Sequence, residues 1–293
     1  MSNWVLQRSG KIREIWEDTE NKRVMLVASD HVAGFNDILP VEIPDKGKIL
    51  TSISAHWFRL TEGIAPNAFI TIDNSEMSGL VAENAENQGR CTLMKKLNML
   101  PVEAIVRGNM AGSLWDAYKL GKREFCGNKI PEGIRRSESL PEPIFTPTTK
   151  EPVGRIDQNL TYEEMILHIS QAGFEDANFI AERIRDYSMA LYKFGRAYAM
   201  ERGIILAEAK FEFGIDDNGV VVLGDELLTP DAARFWLKSD FEIGKRQEGL
   251  DKRIIQHWLE KNPGKEIPPE TLELARGRYI ECYEKIVGGR FYP

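Results

Sequence analysis

Cysteine is scarce in this chain. Three occur, Cys91, Cys126 and Cys282, an odd number at wide spacings with no CxxC. That disfavours a disulfide framework or a cysteine-ligated zinc site, and leaves reduced thiols in a cytoplasmic protein as the expectation. The four histidines, His31, His56, His168 and His257, show no HExxH spacing, and the last three read as packed or solvated helix residues. Neither GxxxxGK[ST] nor GxGxxG occurs, so P-loop and Rossmann readings lack their fingerprints. No apolar run approaches the ~18 residues of a membrane-spanning helix, and the N-terminal MSNWVLQRSGK lacks the apolar region of a secretory signal. No membrane partner is expected. Basic residues are outnumbered, 38 Lys and Arg against 45 Asp and Glu, for a formal net charge of −7. With no long basic run, nucleic acid is not an expected partner either. Ser113 and Cys126 have no evident base partner, which leaves a hydrolase triad unsupported.

What is present is ordinary for a folded protein: 293 residues, 42% hydrophobic and 28% charged. This suffices for one large domain or two modest ones. Residues 11–17, 23–29 and 68–72 read as strands, and Thr51 as the cap of a helix over 52–61. Residues 100–107 form an apolar strand with Pro101 near its start, and a junction of two lobes is placed here, 1–100 and 101–293. Residues 127–152, rich in Pro, Gly, Ser and Thr, read as a long loop. Thr161 to Glu164 fits a capping box, and Asp176 caps a helix to about residue 200 whose stripe is Ile180, Ile184, Tyr187, Leu191 and Phe194. Two further helices cover 251–261 and 270–287.

The sharpest feature is AEAKFEFGIDDNGVVVLGDELL, a hairpin over 204–215 and 220–227. Alternation places Glu208, Lys210 and Glu212 on one face, with Phe211 and Phe213 on the other. A four-residue loop, 216–219, pairs Ile215 with Val220 and sets Lys210 opposite Asp225, with Glu212 diagonal to it. Carboxylates at this density suit Mg²⁺ bridging to phosphate; a solvated face with cross-strand ion pairs is the other reading. Asp231 and Arg234 follow in the next turn or helix. Gly10, Lys11 and Arg13 form a glycine turn with two cations on one strand face. Arg107-Gly108-Asn109-Met110-Ala111-Gly112-Ser113 suits either an anion cradle or a strand-to-helix turn capped by Ser113.

These stretches together resemble the SAICAR synthetase family (phosphoribosylaminoimidazole-succinocarboxamide synthase of purine biosynthesis). GKIREIW, DHVAGFNDILPVEIPDKGKILTSIS, LPVEAIVRGNMAGS, PIFTPTTKE, KFEFG, VVLGDELLTPDAAR and LDKRIIQHWL match it in order along most of the chain. The resemblance implies a two-lobed α+β fold, an antiparallel N-terminal lobe and a larger C-terminal lobe with a nucleotide cleft between them. It implies a reaction of ATP, an imidazole carboxylate ribonucleotide and L-aspartate through an acyl phosphate. It further implies ATP phosphates at Gly10, Lys11 and Arg13, adenine beside the Glu103 strand, and Mg²⁺ at Glu212 and Asp225. Lys210 would stabilise the transferring group, with Asp231 and Glu208 completing the catalytic cluster. Arg107, Ser113 and Arg234 would hold substrate carboxylates or phosphate, and Asp157 and Asn159 would close over aspartate. Homo-oligomers are a family habit, although no patch marks an interface.

The chain departs from the family's usual pattern at three places. It has Asp30-His31-Val32-Ala33-Gly34-Phe35-Asn36 for Asp-Arg-x-Ser-Ala-Phe-Asp, Glu208 for Asp, and Ile156 for the histidine before the Asp157 triplet. A ligase for another amine or carboxylate, or a small-molecule kinase of the same fold, stays open at this stage.

Overall fold

The structure is a computed structural model and describes residues 4–10, 12–34, 37–77, 79, 84–152 and 154–293. Lys11, Phe35 and Asn36 therefore lie outside the described residues. The first part of the chain supplies β1 (Trp4–Ser9), β2 (Arg13–Asp18), β3 (Arg23–Ala28), the β4–β5 hairpin (His31–Gly34, Asp37–Glu42), α1 (Lys46–Leu60), β6 (Phe69–Thr71) and β7 (Cys91–Lys95). Five of these strands make an antiparallel sheet in the order β1-β2-β3-β7-β6. The near-continuous apolar run of β3 has a physical cause: both of its faces are covered. Met25 and Val27 pack with Met77, Cys91 and Leu93 on one face, while Leu26 and Met94 join the main core on the other.

Helix α1 starts six residues before the expected 52, and Thr51 lies inside it. Its cap comes from a distant segment. Asp30 accepts the backbone N–H groups of Asp45 and Gly47 at 3.2 and 2.8 Å, leaving the Thr51 hydroxyl to donate to the Arg90 carbonyl at 3.1 Å. Gly47 is required by close approach, since a Cβ there would sit 2.5 Å from the Ala28 carbonyl oxygen.

The second part supplies β8 (Asn98–Met99), β9 (Val102–Asn109), α2 (Gly112–Lys119), β10 (Glu124–Phe125), β11 (Asn128–Lys129), β12 (Ser139–Phe145) and β13 (Thr148–Thr149). These are followed by α3 (Tyr162–Gln171), α4 (Ala177–Glu201), β14 (Ile204–Ile215), β15 (Val221–Gly224), β16 (Ala233–Leu237), α5 (Arg253–Lys261) and α6 (Pro269–Val287). Residues 127–152 are thus not a plain loop. β12 and β13 pair with β9, and Pro141 and Pro143, which cannot donate, coincide with the register break between Ser139 and Ile144 on this sheet edge.

The twelve-residue β14 is the spine of the second sheet. β9 and β8 pair along one edge, β16 and β15 along the other. Helix α4 packs on it with Ile180, Ile184 and Leu191 buried, and Tyr187 and Phe194 partly buried against the same core. Thr161 and Glu164 form the expected capping box. Asp176 occupies its cap position in a left-handed conformation and makes no side-chain cap bond. One core spans both sheets, joined by the Ala68 N–H on the Leu223 carbonyl (2.9 Å) and the Leu227 N–H on the Ser54 hydroxyl (3.0 Å). All three cysteines are free. No helix among the described residues is long and apolar enough to cross a membrane.

Candidate active site

Alternation along β14 puts Glu208, Lys210 and Glu212 on one face and buries Phe211 and Phe213 on the other. The neighbouring β9 adds Glu103 and Arg107 to the polar face. Lys210 Nζ donates to Glu103 Oε1 at 2.7 Å and to Glu212 Oε1 at 2.9 Å. Lys150 donates to the other oxygen of Glu212. Burial alone would raise the Glu212 carboxyl, but the charges of Lys210 and Lys150 outweigh it and hold the group well below the usual range. Burial opposes the ammonium of Lys210, yet Glu212, Glu103 and Asp225 push it well above its ordinary value. Burial raises Glu103. The result is a permanently charged lysine with 30% of its side chain exposed, held between fixed carboxylates.

The hairpin register differs from expectation by one residue: Ile215 faces Val221, not Val220. The turn is three residues, closed by Asp216 N–H to Val220 O at 3.0 Å, with Asp216 Oδ1 accepting from Asn218 and Val220 and Gly219 at φ 78°. Glu212 consequently faces Gly224, where the ladder ends, and Asp225 leaves the sheet at φ 54°. Asp225 does not oppose Lys210. It accepts from Arg13 Nη1 at 3.0 Å, while Arg13 Nη2 pairs with Glu226. The expected phosphate-binding arginine and the expected metal-binding aspartate thus neutralise each other across the two sheets.

Beyond Lys210 lies an arginine ring. Arg234 is in β16, not in a following turn or helix, and pairs in register with Glu208. Glu208 accepts from Arg234 at 2.8 Å and from Arg107, with Arg253 at 3.8 Å. Burial pushes Glu208 up, but the three guanidiniums bring it down to about 2. Arg107 also donates to the Ser113 hydroxyl at 3.3 Å. Ser113 is not the helix cap, because α2 begins at Gly112 after Ala111. Arg136, Arg234, Arg246, Arg253 and His257, with Asp116 and Glu260, line an adjoining cavity of about 340 Å³, a net basic pocket with room for a phosphate or carboxylate.

Asp231 is 1% exposed and accepts from the Tyr279 hydroxyl at 2.6 Å. Its surroundings are those of a buried structural charge, not of a group facing the cleft. Asp157 is exposed, accepts the Glu151 N–H at 2.8 Å and lies near enough to influence Glu103. Asn159 is joined to Thr148 by an isolated backbone bridge. Gly10 turns tightly, its N–H on the Arg13 carbonyl at 2.7 Å, and lines a cavity of about 790 Å³ with Arg13, Ser29, Asp30, His31 and Arg90.

A sequence profile of the SAICAR synthetase family matches residues 6–270. The chain belongs to the SAICAR synthetase family. Among its relatives is the phosphoribosylaminoimidazole-succinocarboxamide synthase of Lachnospira eligens, 41% identical over 99% of this chain and 98% of that one. The enzyme of the same name from Methylobacillus flagellatus is 39% identical over 98% and 95%. The structure is similar to that of the Saccharomyces cerevisiae SAICAR synthase complexed with SAICAR, with a TM-score of 0.85, 31% identity and 99% and 97% coverage. Lys150 and Glu226 were not among the expected site residues, yet they contact Glu212 and Arg13. Both sit inside motifs that resemble the family, PIFTPTTKE and VVLGDELLTPDAAR; for Glu226 the available signal was its place beside Asp225, while no neighbouring candidate pointed to Lys150. Of the departures, His31 lies 3.2 Å from Glu42 on the rim of the 790 Å³ cavity. Glu208 meets three arginines.

Proposed function

We propose that this protein is an ATP-dependent carbon–nitrogen ligase of de novo purine biosynthesis. It joins L-aspartate to 5-amino-1-(5-phosphoribosyl)imidazole-4-carboxylate and releases SAICAR, ADP and phosphate. The observation that carries this is the Glu208–Lys210–Glu212 row, set between an arginine pocket and the Arg13–Asp225 pair in a chain of this family. A carboxylate is a poor acyl electrophile. Its oxygen attacks the γ-phosphorus of ATP, the bond to ADP breaks, and an acyl phosphate forms. The aspartate amine then attacks the acyl carbon, loses a proton and expels phosphate.

Phosphoryl transfer depends on positioning and charge neutralisation. Lys210 suits the transferring group because its ammonium is charged, fixed and partly exposed. Nucleotide phosphates belong at Gly10, Lys11 and Arg13, with adenine toward the Glu103 strand, between lobes 1–100 and 101–293. Arg13 exchanges Asp225 and Glu226 for phosphate oxygens when nucleotide enters. Arg107, Ser113 and Arg234 hold the ribonucleotide phosphate or the aspartate carboxylates beside the basic pocket. Asp157 and Asn159 close over aspartate. Glu208 and Asp231 orient these groups.

Magnesium is usually held by one or two carboxylates, with phosphate oxygens and water completing its shell. Glu212 and Asp225 fit that donor type. Among the described residues no three acidic, histidine or cysteine side chains gather as a metal cage; a magnesium ion at Glu212 and Asp225 would have to share its shell with phosphate oxygens and water. Bound there, it supplies charge neutralisation at the phosphates. The three free thiols favour the cytoplasm as the compartment, and the family's habit favours a homo-oligomer.

The deciding assay measures ATP consumption by the purified protein. Turnover is expected only with both aspartate and the carboxylated ribonucleotide present. Equal turnover without aspartate would make it a kinase, and turnover only with another amine would make it a diverged ligase.

A further inference from the structure

The connection between β15 and β16 carries Asp225 and Glu226 at one end and runs into Arg234 at the other. Its middle is held by one carboxylate. Asp231 accepts from the Tyr279 hydroxyl of α6 at 2.6 Å, lies 2.9 Å from Lys46 Nζ, and has Lys252 Nζ at 3.8 Å. Lys46 is the first residue of α1, whose capping carboxylate belongs to the first-sheet side of the molecule. The side chains of Lys46 and Asp231 are 0% and 1% exposed.

A lysine is an unfavourable choice here on two counts. A helix N-terminus carries partial positive charge, and a buried ammonium pays a desolvation penalty that an apolar side chain of similar volume avoids. The placement is better accounted for by what it holds. The Ala232 carbonyl, next to Asp231, accepts the backbone N–H of Lys210 at 2.8 Å. Thr229 O accepts from Ala232 and Ala233 at 3.1 and 2.8 Å, and the Thr229 hydroxyl donates to Glu226. Ala233 and Arg234 then enter register with Ala209 and Glu208. Fixing Asp231 therefore fixes the backbone of the lysine row, the partner of Arg13 and the start of the arginine ring.

We propose that Lys46 is a positioning residue for the reaction: through Asp231 it locks the 225–234 connection, and with it Lys210, Glu226 and Arg234, to the first-sheet side of the molecule. The kinetic half of this inference rests on the ligase reading; the structural half does not.

The test is Lys46→Met in the full chain, followed by amide hydrogen exchange and steady-state kinetics. The variant should keep its far-ultraviolet circular dichroism. The amides of Lys210, Ala232 and Ala233 should exchange about tenfold faster or more, while those of Met25 and Leu93 stay unchanged. The kcat should fall about 100-fold, with KM for ATP within about threefold, as expected when a group is displaced rather than removed. Unchanged exchange at the three amides, or wild-type kcat in the folded variant, overturns the proposal. If Lys46→Met does not fold, Lys46→Met with Asp231→Asn removes the buried pair together. That protein should fold and remain about 100-fold slow. Near-wild-type kcat in it, or its failure to fold, overturns the proposal by assigning the pair to folding alone. Wild-type protein without turnover would instead sink the ligase reading and leave the exchange comparison to decide this one.

Discussion

Two lysines, each beside buried carboxylates, differ in what their surroundings let them reach. Lys210 has two carboxylate partners and 30% of its side chain open. Lys46 has one close partner and no exposure. Both are charged groups placed where charge is expensive, yet only one can touch a ligand. Exposure of the side chain, not the presence of an ion pair, separates a group able to meet a ligand from one that can only hold its neighbours in place.

Removing the exposed lysine should give the larger kinetic effect. Lys210→Ala is expected to lower kcat by about 10³-fold, the scale of losing a charge-stabilising donor, and to lower the melting temperature as well, because Glu103 and Glu212 lose the ammonium between them. Steady-state kinetics and a melting curve check both halves, and a severe loss of stability with normal kcat would erase the contrast with Lys46.

Acid should probe the arginine ring around Glu208, two residues from Lys210 on β14. The folded carboxyl of Glu208 titrates at about 2 against an ordinary 4.5. Its contribution is therefore fully present above pH ~4.5 and is lost as pH falls from there towards 2, about 3 kcal/mol at most over that window. Urea unfolding at pH 6 and pH 3 should show a smaller acid-induced loss in Glu208→Gln than in the wild type. Equal losses would mean that the arginine ring does not stabilise the folded state through this carboxylate.

The smallest effect tests the fold alone. Thr161→Ala removes the capping box of α3 and should lower stability by about 1 kcal/mol with kcat unchanged. A change in kcat there would mean that the ordering of α3 reaches the site.

The candidate site was legible wherever its chemistry was local. Alternation in β14 put Glu208, Lys210 and Glu212 on one face, and their apolar neighbours Phe211 and Phe213 are buried opposite. The register was not legible, because it turned on whether Asp216 closes the turn or belongs to it, and its side chain accepting two N–H groups decided the matter. The start of α1 was hidden for a related reason. Lys46 and Gly47 look like loop, and Asp30, the carboxylate that accepts the Asp45 and Gly47 N–H groups, is fifteen and seventeen positions away from them. Lys150 reaches Glu212 across 62 residues and Arg13 reaches Asp225 across 212, distances at which a single sequence offers no pairing signal.

The two prolines of β12 have a consequence beyond the register they break. A strand at the rim of a sheet exposes unpaired backbone groups that can recruit another chain. Pro141 and Pro143 offer no N–H there, and the exposed Glu142 between them sets a charge on the same rim. The border of the second sheet is thereby blunted against edge-to-edge aggregation.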